Sequence, residues 1–198
     1  MDRPRQPLSL KRFLYEVYRD LTIVDRYLLN YHSGHLNALD RAVLVLEDRR
    51  FFRHWGIDWR SVLRDFIRMV TFRRFGGSST IEMQFVRTCT GYRQRTIRRK
   101  VYEMLLASLL QYRASKIQIL KSYMAVVYLG HGVRGAQVAA AMLFSKRQLE
   151  QLTVAEACHI AAMMVYPMPK VPTERWRARV DRRANYALSL LAKIKLPH

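Results

Sequence analysis

Cysteine is nearly absent: Cys89 and Cys158 are the only two in 198 residues, with no CxxC or Cys/His spacing near either. That excludes a disulfide framework and a structural zinc site, and both side chains read as free thiols. Glycine and proline are scarce too, at 8 and 6, while 50% of the residues are hydrophobic, so the chain is globular. No apolar run reaches the ~18 residues of a membrane-spanning helix. The opening stretch MDRPRQPLSLKRFLYEV has no apolar segment of signal-peptide length before charge resumes. As written, the chain is expected to be soluble or peripherally attached to a membrane. Acidic residues are the other shortage. Fifteen Asp and Glu face 35 Lys and Arg, a net charge of +20. Such a field favours nucleic acid, an anionic bilayer or a phosphorylated substrate. Neither a stacking-aromatic module nor a nucleic-acid fold signature accompanies it, so nucleic acid is not expected as a partner.

What is present is helical periodicity. Over 9–31, Phe13, Leu14, Val17, Leu21, Val24, Leu28 and Tyr31 recur at three- and four-residue steps between charges. After HSGHLN, the apolar stretch ALDRAVLVLEDRRFF predicts a second helix, and WRSVLRDFIRMVTFRRF a basic amphipathic third. A helix from about Ser79 to Cys89 should follow, ended by TGYRQ, with others over 94–112, 115–129, 134–144, 153–165 and 174–194. VYPMPKVPT is a proline-punctuated loop, and strand signals are weak throughout. The expected fold is all-α. At this length one domain is expected, with an amphipathic segment over 1–36, a core over 37–172 and a C-terminal helix over 173–198 packed on it.

Three polar groupings could carry chemistry. Ser79 and Glu82 match the S-x-x-E capping box. Thr80, Gln84 and Arg87 then fall on one helical face, either a plain solvated face or a polar binding stripe. Arg95, Arg99 and Glu103 form a similar stripe with Lys100 beside it. Arg99 and Glu103 suit an ordinary helix ion pair, and several arginines on one face also suit a pyrophosphate. Glu47 and Asp48 follow the apolar AVLVL, where partial removal from water makes a carboxylate a better base. His54 lies nearby, as a hydrogen-bonded structural residue or a catalytic one. With no HExxH spacing, no metal held by the protein is expected.

EDRRFFRHWG, GSSTIEMQ, RKVYE, SKIQILKSYM and EACHIAAMMVYP, in this order and at these separations, resemble the peptidoglycan glycosyltransferases of glycosyltransferase family 51, and the monofunctional transglycosylases most closely. The resemblance spans roughly 38–172. It implies a lysozyme-like, two-lobed all-α fold with a smaller membrane-facing jaw. It also implies polymerisation of lipid II with inversion and release of undecaprenyl pyrophosphate. By resemblance, Glu47 is the general base, Asp48, Phe51 and His54 shape and support the cleft, and Thr80, Gln84 and Arg87 belong to the second motif. Arg95, Arg99 and Lys100 match the cations around the donor pyrophosphate, and Glu103 matches the glutamate that organises them. Ser115 and Lys116 open the fourth motif. A divalent cation, Mg or Mn, is implied only with the substrate pyrophosphate. Implied partners are lipid II, the growing glycan, an anionic membrane surface and other cell-wall synthesis proteins, at the inner membrane. The family's usual lysine is Arg87 here, and Met83, Lys121 and Ala125 also depart from its pattern. Those departures keep a second reading open: a noncatalytic or divergent member that binds lipid-linked precursor or an acidic partner. A hydrolase cutting finished glycan would need a general acid at the leaving oxygen, which a pyrophosphate leaving group does not.

Overall fold

A computed structural model describes residues 9–29, 35–71, 77–92, 94 and 96–194. Among these are nine α-helices: α1 (Leu10–Asp25), α2 (Ala38–Glu47), α3 (Trp59–Val70), α4 (Ile81–Thr90), α5 (Ile97–Leu110), α6 (Lys116–Val126), α7 (Ala136–Phe144), α8 (Val154–Ala162) and α9 (Glu174–Leu191). A two-stranded antiparallel hairpin, β1 (Tyr128–Gly130) and β2 (Val133–Arg134), is the sheet structure.

The core forms around α2. Its N-terminus is closed by a capping box between Asn37 and Asp40, and Leu39, Ala42, Val43, Leu44 and Val45 are all buried. Burial of each larger side chain contributes roughly 1.5–3 kcal/mol. Helices α8 and α9 cover one side of α2, and α4, α5 and α6 pack together beside it. α1 turns Val17, Leu21 and Val24 inward against α4 and α5, leaving Leu10, Leu14, Tyr15 and Tyr18 exposed. On α9, Val180, Ala184 and Ala187 recur at helical spacing and face the core. α3 stands apart, with Trp59, Leu63, Phe66 and Ile67 exposed.

The helices are shorter than the hydrophobic pattern predicts, for local reasons. ALDRAVLVLEDRRFF does not continue as one helix past Glu47. Asp48 leaves the helical region at φ −153°, ψ 77°, and its carboxylate accepts the Ile81 backbone N–H at 3.2 Å. Phe51–Arg53 then form a 3-10 turn. The capping box expected at Ser79 and Glu82 is not formed: the N-cap is Thr80, whose hydroxyl accepts from Met83 N at 3.3 Å. Ser79 and Glu82 are drawn into other bonds. The weak strand signal conceals a hairpin because tertiary bonds supply it: Met168 N donates to Leu129 O at 2.8 Å and His131 N to Met168 O at 2.7 Å. The proline loop is thereby joined to β1. Cys89 and Cys158 are both free.

Candidate active site

Glu47 is the last residue of α2 and opens on a cleft of about 460 Å³. Its side chain is 14% exposed. Two helices distant in sequence hold its two oxygens: Gln84 Nε2 of α4 donates to Oε2 at 3.3 Å, and Arg183 of α9 donates to Oε1 at 3.0 Å. The Gln84 amide is itself oriented, because the Tyr123 hydroxyl donates to its Oε1 at 2.7 Å. Burial, then the Glu47 charge, push the Tyr123 phenol far above its ordinary value, so it remains a donor. Gln84 must therefore present its NH2 group to Glu47.

Asp48 takes the opposite course. It is buried, lies 3.0 Å from His54 Nε2, and ties the end of α2 to the start of α4. Phe51 is buried beneath this region, with the Lys116 ammonium 4.6 Å from its ring centre. Phe51 and His54 thus brace the cleft from below. Thr80 lines the cleft with its backbone, while its hydroxyl donates to Gly56 O at 2.7 Å.

The second cluster surrounds Glu103, which is fully buried. Its Oε1 accepts from Arg87 Nε at 3.2 Å and lies 3.4 Å from Arg99 Nε. Lys100 Nζ donates to Ser79 Oγ at 2.7 Å, and Arg87 donates to the same hydroxyl at 3.3 Å. Ser79 lines the cleft, so it is where this cationic group meets the space in front of Glu47. Arg87, Arg99 and Lys100 outnumber Glu103 and the buried Asp65 whose charge acts on Lys100, which leaves the cluster positive. Among the described residues the ion-pair partners of Glu103 are Arg87 and Arg99. Arg95 lies outside the described residues.

The Asp48, His54 and Glu82 ligand atoms lie within 4.8 Å of one another. Glu82 is already bonded by the Lys116 ammonium and by Gln111 at 3.2 Å, and Asp48 by His54 and Ile81 N. Burial raises the Glu82 carboxyl above its ordinary range, with Lys116 opposing. A lysine seated on one of the three groups opposes a cation there, and the trio serves as a buried ion network.

Sequence reasoning missed several cleft residues. Arg183 stands 136 positions from Glu47 and carries no local signal. Arg64 and Arg68, one turn apart on α3, line the opposite wall with Arg50, and only the basic amphipathic pattern hinted at them. Of the departures, Met83 is buried in the core and Lys121 pairs with buried Asp40, while Ala125 is exposed on α6.

A carboxylate held at a cleft, with a preorganised cationic cluster that reaches the same cleft through Ser79, can accept a proton and stabilise developing negative charge. The particular family follows from comparison: residues 25–192 match the Transglycosylase family, and the chain belongs to it. Its fold is the all-α, lysozyme-like transglycosylase domain. A Cupriavidus necator protein whose name describes it as a transglycosylase is 36% identical over 156 residues, covering 79% of this chain and 67% of that one. The biosynthetic peptidoglycan transglycosylase of Alcanivorax borkumensis is 33% identical over 163 residues, covering 80% and 64%. Penicillin-binding protein 1A of Clostridium tetani is 32% identical over 183 residues, 89% of this chain but 23% of its own. The chain thus spans about two thirds of the first two relatives and about a quarter of the third.

Proposed function

We propose that the chain is a peptidoglycan glycosyltransferase that polymerises lipid II by inverting transfer, releasing undecaprenyl pyrophosphate. The observation that carries this reading is the fixed carboxylate of Glu47 facing the cleft that Ser79, Arg87 and Lys100 adjoin. Glu47 takes the proton from the acceptor 4-hydroxyl as that oxygen attacks the anomeric carbon of the donor chain. The bond from that carbon to the pyrophosphate breaks, and its electron pair leaves with the phosphate. Arg87, Arg99 and Lys100 meet the growing charge, and Arg95 joins them in this reading. The positions of Arg87, Arg99 and Lys100 are set before the reaction by Glu103 and Ser79, so little reorganisation accompanies charge development. Gln84 and Arg183 hold the base, while Asp48, Phe51, His54 and Thr80 support the cleft walls.

The donor side is built of cations, which suits phosphate oxygens directly. A divalent cation, Mg or Mn, belongs in this reading with the substrate pyrophosphate. Among the described residues no helix is long and apolar enough to cross a membrane. Exposed Trp59, Leu63, Phe66 and Ile67 share α3 with Arg60, Arg64 and Arg68, a composition suited to an anionic bilayer carrying the lipid substrate. The working unit in this reading is the 37–172 core with the N-terminal segment and α9 packed on it, peripherally bound at the inner membrane among other cell-wall synthesis proteins.

Purified protein incubated with labelled lipid II on vesicles should produce glycan strands resolved on a gel. Lipid II binding without strands would instead support the noncatalytic reading, which buried Met83 and the Lys121–Asp40 pair, both accommodated in the core, do not favour. A pH prediction also follows. Burial first, then Arg87, lower the Lys100 ammonium below its ordinary value. Lys100 therefore loses its charge at a lower pH than a solvated lysine, and donor affinity should fall on the alkaline side below the ordinary lysine range. Lys100→Arg keeps its charge and should shift that limb upward in the pH profile of kcat/KM. An unshifted limb would remove Lys100 from the donor site.

A further inference from the structure

The C-terminal helix presents a second, smaller groove beside the cleft. It holds about 330 Å³ and is lined by Tyr166, Arg179, Arg182, Arg183 and Tyr186. Three arginines and two tyrosines line it, and no Asp or Glu does. Arg179 and Arg182 are exposed, and among the described residues no acidic group lies within 4.0 Å of either. Arg183 uses one NH2 on Glu47, and its buried Nε has no hydrogen-bond partner. A fourth guanidinium, Arg49, donates to the Tyr186 hydroxyl at 3.0 Å and also lines the main cleft.

The groove is thus joined to the base at two points, Arg183–Glu47 and Tyr186–Arg49. It is reached from Glu47 Oε1, whereas the donor-side cluster is reached through α4 and Ser79. A ligand in it would be anionic, with planar groups that fork-shaped guanidiniums pair in two-point fashion and phenols bond from the side. Spacing along one helix face, Arg179, Arg182 and Tyr186, suits several anionic groups carried on an extended chain better than one compact phosphate.

We propose that this groove binds the carboxylates of the peptide branch that lipid II carries on the sugar next to the one bearing the acceptor 4-hydroxyl, so that α9 aligns that hydroxyl with Glu47. The proposal rests on the transferase reading, and it adds Arg179 and Arg182 as specificity-determining residues on the acceptor side. Free carboxylates are the recognised chemistry. Amidation of the branch removes the charge and leaves the sugar and lipid unchanged, so it isolates this contact.

The test compares wild type with an Arg179→Gln/Arg182→Gln double variant, on lipid II with free and with amidated branch carboxyls. Both side chains are exposed, so the variant should fold, with an unchanged melting temperature. With free carboxylates, the variant should raise the acceptor KM on the order of tenfold with little change in kcat, about the loss of one charge-assisted contact. With amidated substrate, wild type and variant should have the same, already raised KM. An equal loss on both substrates, or no loss on either, overturns the proposal. A binding readout stands apart from turnover: the soluble muramyl-peptide with free carboxyls, titrated calorimetrically, should bind the variant on the order of tenfold more weakly than wild type. Were inorganic pyrophosphate to displace it through Arg179 and Arg182 equally well, the groove would be a phosphate site and the proposal would fall. Were wild type to make no glycan, the transferase reading would fail while the titration still decided what the groove binds.

Discussion

Glu47→Gln is expected to abolish strand synthesis while leaving lipid II binding and the fold in place. Glutamine keeps the size and hydrogen-bonding reach of glutamate but cannot accept the acceptor's proton. General-base removal of this kind costs on the order of 10²- to 10⁴-fold in rate. The surroundings make the expectation specific. Gln84 and Arg183 both donate to Glu47, so the site is constructed around an acceptor at that position. In the variant, Arg183 loses its counter-charge, and a modest fall in melting temperature is expected beside the catalytic loss. Single-turnover gels on wild type and variant, with binding measured in parallel, separate the two effects. Turnover within a few-fold of wild type would show that another group takes the proton.

Gly56→Ala should have the largest effect on stability. Gly56 ends the motif EDRRFFRHWG and has φ +73°, a left-handed conformation that side chains disfavour. A Cβ there would lie 2.4 Å from Ala107 O, 2.6 Å from Ala107 C and 2.8 Å from Ser108 N, all backbone atoms of α5. No rotamer change can relieve a clash with backbone, so either the turn or α5 must move. The two costs together come to about 3 kcal/mol or more. In a chain of 198 residues that corresponds to a fall of roughly 6–12 °C in melting temperature. Gly56 O also accepts the Thr80 hydroxyl, so displacement would propagate to the N-terminus of α4 and to Gln84. Activity should therefore fall even at temperatures where the variant remains folded. Calorimetry gives the stability loss, and an unchanged transition would mean that the close approach to Ala107 can relax freely.

Much of this protein could be read in one dimension. Apolar spacing in α1, α2, α4 and α9 was visible because helix burial depends on positions three and four apart, which are local. The structure adds capping boxes at Asn37, Ser115 and Thr153, each of which bonds within its own first turn. The Ser79–Glu82 pair has the same local pattern and fails. Glu82 is captured by Lys116 and Gln111, and Ser79 by Arg87 and Lys100, all from outside that turn. Where a distant charge competes with a local cap, local spacing loses its power to decide.

The sequence by itself determined the all-α class, the strong positive charge, and the motif order that carries the family resemblance. Those properties depend on composition and on short separations. Only the tertiary structure decided how the two carboxylates are held, because Glu47 and Asp48 are neighbours in the chain and both line the cleft, yet Glu47 is bonded by Gln84 of α4 and Arg183 of α9 while buried Asp48 accepts the Ile81 N–H. It also decided that Arg183 reaches Glu47 and that α9 carries a groove lined by arginines beside it. The bonds responsible join residues 33 to 136 positions apart, and their energies depend on distances in space that no spacing along the chain encodes.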